Sequence, residues 1–193
     1  ISRLAPLHWN WFARIFTLGV PAGLQSVLST GASMVYYSFL GRLVDGSAAM
    51  AALTIGLGIE ALSYMPGFAF SAAAAAMVGQ NMGADAPDRA TEASWACSRQ
   101  SAIIMTIMAV VFFVFAGPIV SLFTNDPTIH RLTVAYLRIN AISEPFLGVR
   151  MTLSGALQGA GDTLSPTLAT FITLWGIRLP LTYWLAVTLS LGA

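Results

Sequence analysis

Between Arg14 and Arg42 lie 27 residues without a charge, and similar runs recur along the chain. From Gly46 to Ala84 the only charge is Glu60, and from Gln100 to Asn125 there is none. Between Arg138 and Asp162 the charges are Glu144 and Arg150, and from Thr163 to Ala193 the only charge is Arg178. About 20 consecutive apolar residues cross the hydrocarbon core of a bilayer as a helix. Strands of a membrane barrel alternate in polarity, and these runs do not. They predict an all-α, polytopic transmembrane bundle of five helices, at residues 14–40, 47–78, 88–123, 127–156 and 165–191.

Composition excludes the other classes. Of the 193 residues, 56% are hydrophobic and 9% are charged, and the mean hydropathy is +0.75. An average soluble domain carries about 25% charged residues. Too few polar residues remain to cover a soluble globule or to keep a chain disordered. A net charge of +1 offers no basic surplus for nucleic acid. The single Cys97 cannot build a disulfide framework. No Cys/His cluster has metal-ligand spacing and no glycine loop carries a lysine for phosphate, so no catalytic residue and no metal are expected. The chain begins at Ile1 rather than Met, which suggests a piece of a longer protein.

Local punctuation divides the helices. Residues 1–12, with Trp9, Trp11 and Phe12, read as an interfacial belt. Residues 79–90 form a glycine-rich break in which Asp85 is a candidate N-cap for the third helix. Asp126 and Pro127 suit the cap and first position of the fourth. A second glycine-rich break covers residues 158–163. Pro21, Pro66, Pro145 and Pro180 fall inside helices, where each removes a backbone donor. They read as hinges that free carbonyls for a ligand, or as ordinary membrane prolines.

Glu60, Glu144, Arg150 and Arg178 sit deep in the apolar runs. Each costs on the order of 2.5–3.5 kcal/mol at a helix centre, which makes them functional candidates. The acids read as titrating or cation-binding carboxylates, the arginines as their charge partners. The alternative is a set of structural ion pairs or contacts to lipid headgroups. Glu144 and Arg150 are six residues apart, so they occupy different helix faces. Gln25 and Asn140 are polar candidates for a cavity wall or for hydrogen bonds between helices. Tyr36, Tyr37, Tyr64, Phe68 and Trp175 would suit a cavity for flat lipophilic cations.

Six segments resemble, in order, the carboxy-terminal lobe of the MATE (multidrug and toxic compound extrusion) family, in its DinF-type prokaryotic branch. They are residues 19–25 (GVPAGLQ), 60–68 (EALSYMPGF), 78–84 (VGQNMGA), 122–127 (LFTNDP), 154–163 (SGALQGAGDT) and 178–181 (RLPL). The resemblance implies twelve helices in two lobes around a central cavity, with helices seven to eleven in this chain. It implies that the loops after Val78 and Leu157 face the cytoplasm. It further implies antiport by alternating access, with amphiphilic drugs or organic cations exported against protons ahead of sodium. No other cofactor is implied. Some members carry acids on the first and fourth helices of this lobe. Here the first helix has none, Glu144 lies about one turn from the family position, and Glu60 belongs to the motif of the branch.

The expected partners are therefore the lipid bilayer, an amphiphilic small molecule and the amino-terminal lobe of the same parent chain. The expected location is the bacterial inner membrane, as a multi-pass protein. Two other readings remain: a flippase for lipids or lipid-linked saccharides, and a structural membrane subunit that transports nothing. A flippase for anionic lipids calls for a basic cavity, and here the deep charges balance two against two.

Overall fold

A computed structural model describes residues 9–40 and 46–184. Four long helices come first: α1 (Trp9–Leu40), α2 (Gly46–Gly83), α3 (Pro87–Ser121) and α4 (Pro127–Gly159). The last span is broken into α5 (Leu164–Phe171), a π-helical segment (Ile172–Arg178) and α6 (Leu179–Tyr183). The described residues form an all-helical bundle, and no strand occurs among them. The first eight residues of the expected belt, residues 41–45 and the end of the last helix past residue 184 lie outside the described residues.

α2 and α3 are each long and apolar enough to cross a membrane. Only 28% of the most apolar stretch of α3 is buried inside the protein. Ile103, Ile107, Val110 and Val114 are exposed along it. A soluble core helix would bury that surface, whereas a helix at the rim of a membrane bundle gives it to lipid.

α2, α3 and α4 pack closely on one another, and α1 packs chiefly on α5. The three-helix unit has an apolar centre of Ile59, Phe112, Val120 and Leu137 with small alanines between them. Nearer the other end, Gly155 and Gly159 of α4 lie directly against the backbone of Ser71 and Ala75 of α2. A Cβ at either glycine would collide with that backbone. Lipid supplies no hydrophobic drive between helices, so close van der Waals approach through such glycines is what holds them together.

The glycine-rich break after Val78 begins later than expected. α2 continues to Gly83, and Gly79 sits against the carbonyl of Gly159, where the two helices still touch. Asp85 is not an N-cap. It adopts φ +53°, the Ala86 N–H donates to the Asn81 carbonyl at 2.9 Å, and the Asp85 N–H donates to Met82 at 3.2 Å. This pair of bonds closes α2 as a Schellman motif, in which one residue must be left-handed; aspartate tolerates that conformation better than most. The N-cap of α3 is Ala86, without a side-chain bond.

α4 ends in the same way. Gly161 has φ +89°, Asp162 N–H donates to Leu157 at 2.9 Å, and Gly161 N–H donates to Gln158 at 3.0 Å. Asp162 then accepts from the N–H groups of Leu164 and Ser165 at 3.1 and 3.0 Å and opens α5. The Ser165 hydroxyl and these backbone bonds hold the Asp162 carboxyl below the usual carboxylate range. Asp126 caps α4 as its sequence suggests, accepting from Thr128 and Ile129 at 2.8 and 3.0 Å, with Pro127 first in the helix.

The prolines behave differently from one another. Helices α1, α2 and α4 run through Pro21, Pro66 and Pro145, and α3 runs through Pro118, which the sequence reading passed over. Ahead of Pro180 the ladder shifts into the π register over Ile172–Arg178. Pro180 donates no hydrogen bond and its ring crowds the carbonyl four residues back, which favours a wider turn upstream.

Candidate functional site

A cavity of about 1010 Å³ lies between α2 and α4 on one side and α1, the π segment and the start of α6 on the other. It occupies the half of the bundle that holds the end of α1 and the starts of α2 and α4. Tyr36 and Tyr37 of α1, Leu53 and Tyr64 of α2, Tyr136 and Phe146 of α4 and Leu174 of the π segment line its wall. Glu60, Glu144, Asn140, Arg150 and Arg178 line it as well, so five of the polar candidates converge on one space.

Glu60 is 4% exposed and well partnered. The Tyr136 hydroxyl donates to its Oε2 at 2.8 Å from α4, and the Tyr64 hydroxyl donates to the same atom at 3.3 Å from one turn along α2. The approach of Tyr136 depends on Gly56, since a Cβ there would meet the tyrosine ring. A carboxylate held by two hydroxyls beside aromatic walls offers negative charge and π faces, the chemistry that attracts an organic cation.

Glu144 is 2% exposed, and its Oε2 has no hydrogen-bond partner. Ser63 of α2 is the hydroxyl near enough to act on it, yet Ser63 Oγ is also buried without a partner in bonding geometry. The two acids are close enough to interact, and so are Glu144 and Tyr64.

Arg178 makes no direct ion pair with either acid among the described residues. Its guanidinium lies 5.2 Å over the ring of Tyr36, and its charge still acts on Glu60. Arg150 is exposed on the cavity wall, and Asn140 is half-buried there. Gln25 stands apart from the cavity. Its Nε2 donates to Thr170 Oγ1 at 3.0 Å and to the Pro166 carbonyl at 3.5 Å, and its Oε1 accepts from Gln158 at 3.4 Å. With Thr167 donating to the Pro21 carbonyl and Trp175 to that of Leu28, it fastens α1 to α5 and the π segment. Trp175 is thus a packing residue, with its indole N–H spent on α1. Of the four prolines, none lines the cavity.

Residues 21–184 match the MatE family. The chain belongs to the MatE family. It is 31% identical over 190 residues to a probable multidrug resistance protein NorM of Thermotoga maritima, covering 98% of this chain and 40% of that protein. It is 30% identical over 178 residues to a probable multidrug resistance protein YpnP of Bacillus subtilis, covering 90% of this chain and 39% of the relative. A multidrug resistance protein NorM of Burkholderia vietnamiensis is 33% identical over 156 residues, which is 78% of this chain and 34% of that one. The MatE chain therefore spans about 40% of the length of the curated relatives it matches.

Two residues that the fold of this MatE chain brings to the buried acids were not singled out by sequence reasoning. Tyr136 lies 76 positions from Glu60, and no local pattern joins them. Ser63 is one of many small polar residues in the apolar runs. Its place three residues after Glu60, on the helix face that meets α4, becomes visible only when the helices are packed.

Proposed function

We propose that this chain is the carboxy-terminal lobe, up to its fifth helix, of a bacterial multidrug exporter that lies as a multi-pass protein in the inner membrane. The whole transporter binds amphiphilic organic cations in a cavity shared between two lobes and releases them outward by alternating access. Uptake of protons drives the exchange. The share of each relative that the chain covers and their multidrug-resistance names support the assignment to one lobe of an exporter.

The observation that carries the reading is the pair of buried acids on one aromatic-walled cavity. Glu60, held by two tyrosine hydroxyls, receives the cationic part of the substrate. Glu144, with an unpartnered oxygen, takes and yields the proton. A metal cation needs several oxygens around it, whereas a proton needs only the carboxyl itself, and this favours protons over sodium. Arg178, stacked on Tyr36, keeps the empty cavity near neutrality and yields to the incoming cation.

The test uses the full-length protein in an efflux-deficient bacterium loaded with a fluorescent lipophilic cation. Export should stop when the pH gradient is collapsed at fixed sodium, and Glu60→Gln should lower export while membrane insertion is kept. Export that persists until sodium is removed refutes proton coupling. Unchanged export by Glu60→Gln removes Glu60 from the mechanism.

A further inference from the structure

Three serines in the α2–α4 unit behave unlike the other buried hydroxyls among the described residues. Ser33, Thr54, Thr106, Thr133, Thr152 and Thr170 each donate to the carbonyl four residues back on their own helix. That bond is open to any helical serine or threonine. Ser63, Ser98 and Ser101 do not make it. They are 0%, 1% and 0% exposed, and their Oγ atoms have no partner, like Oε2 of Glu144. A buried hydroxyl without a partner has given up its bonds to water with nothing in return, and these three lie together in one bundle core with the unpartnered acid.

Their order in space is a line. Ser63 and Glu144 face each other across α2 and α4. One turn further along α4, Gly148 lies against Ser101 and Met105 of α3; a Cβ on this glycine would be 2.9 Å from Ser101 Oγ. Ser98 is the next turn of α3 on the same face. Beyond it come Gly155 and Gly159, where α2 and α4 close toward the turns at Asp85 and Gly161. The cavity lies along the neighbouring face of α4, where Asn140 and Ser143 border it before Glu144, and Leu147 and Arg150 after it, while Gly148 faces α3. Glu144 thus stands between the cavity and this serine line.

We propose that Ser63, Ser101 and Ser98, bridged by water, form a proton path that leads from Glu144 into the α2–α3–α4 core, in the direction of the Asp85 and Gly161 turns. The inference rests on Glu144 being the proton carrier. A proton leaving the Glu144 carboxyl passes to a bridging water or a serine hydroxyl, which gives up its own proton to the next member. Each hydroxyl ends with one proton, as it began, and the carboxyl is left as carboxylate. Buried water commonly satisfies polar groups of this kind. Glu60 and Tyr64 are the other titratable groups that act on Glu144, and both belong to the cavity side. Met105, 0% exposed against Gly148 beside Ser101, is a flexible side chain placed to close the path between proton transfers.

The experiment uses the full-length transporter in liposomes, with tetraphenylphosphonium as substrate and Ser98→Ala and Ser101→Ala made singly and together. Two rates are compared: export driven by an imposed pH gradient, followed with a pH dye, and exchange of labelled for unlabelled substrate with no gradient. Driven export should slow by roughly tenfold or more in the double variant. Substrate exchange, which needs the conformational cycle but no net proton movement, should be retained. Loss of both rates together marks the serines as structural and overturns the path. Unchanged driven export overturns it as well. A wild-type protein that exchanges substrate yet never moves protons refutes the proton coupling itself, a result distinct from failure of the serines alone.

Discussion

Removing the Tyr136 hydroxyl measures what the Glu60 site is for. Tyr136 donates to Glu60 Oε2 at 2.8 Å and Tyr64 to the same oxygen at 3.3 Å. Hydrogen bonds between oxygens are commonest at about 2.7–2.8 Å, so Tyr136 carries most of the stabilisation of the carboxylate. A hydrogen bond to a charged group contributes about 1.5–3 kcal/mol, and about 1.4 kcal/mol is a factor of ten in affinity. If ionised Glu60 receives the cation, Tyr136→Phe should weaken tetraphenylphosphonium binding by between about tenfold and a hundredfold. The lower part of that range is expected, because Glu60 borders a cavity from which water replaces some of the lost bond. Tyr64→Phe should cost only a few-fold. Calorimetric titration of the purified full-length protein reads both. The decisive comparison is made in a Glu60→Gln background, where the same Tyr136→Phe change should cost about fivefold or less, since only a neutral hydrogen bond is lost. An equal loss in both backgrounds, or a larger loss from Tyr64→Phe than from Tyr136→Phe, refutes the account of Glu60 as a tyrosine-held cation receptor.

Other consequences follow from the packing and the turns. Gly155→Val forces α2 and α4 apart at Ser71, and should destabilise the protein by about 1–3 kcal/mol or prevent folding; thermal unfolding in detergent as stable as wild type would deny the close contact. Asp126→Ala removes the cap of α4 and should cost about 1 kcal/mol in the same measurement. Asp162, whose folded carboxyl is held down by Ser165, stabilises the turn above its unfolded value of about 3.9, and that contribution disappears as the pH falls through the lower folded value. The stability gap between wild type and Asp162→Asn should therefore be constant near neutral pH and close in acid, and a gap independent of pH contradicts the assignment. Gln25→Ala should loosen α1 from α5 and raise hydrogen exchange along both, with substrate affinity at the cavity changed little, because Gln25 does not line it.

The class of fold was legible because its cause is local. A run of 27 uncharged residues must satisfy its own backbone in lipid, and a helix does so within the run. The same locality made the Asp126-Pro127 cap readable, since its bonds close within three residues. It also flagged Glu60 and Glu144, because a charge in an apolar run is visible without any neighbour. Locality also marks the limit. Asp85 has the right chemistry for an N-cap and the right distance from α3, but α2 overran to Gly83 and turned it into the left-handed residue of a helix end.

What the sequence determined by itself was therefore the helices, their rough length and the residues that are costly inside them. Only the tertiary structure decided which of those residues meet. The i→i−4 bond and the 1.5 Å rise are properties of one helix, whereas the rotation of α4 on α2 is set where Gly155 and Gly159 admit the backbone of Ser71 and Ala75. With α4 so placed, and Gly56 leaving room for the tyrosine ring, Tyr136 meets Glu60 and Glu144 faces Ser63. The fastening of α1 to α5 takes Gln25 away from the cavity. Polar groups in lipid must find partners in protein or water, and where they find them depends on how helices distant in sequence are laid side by side.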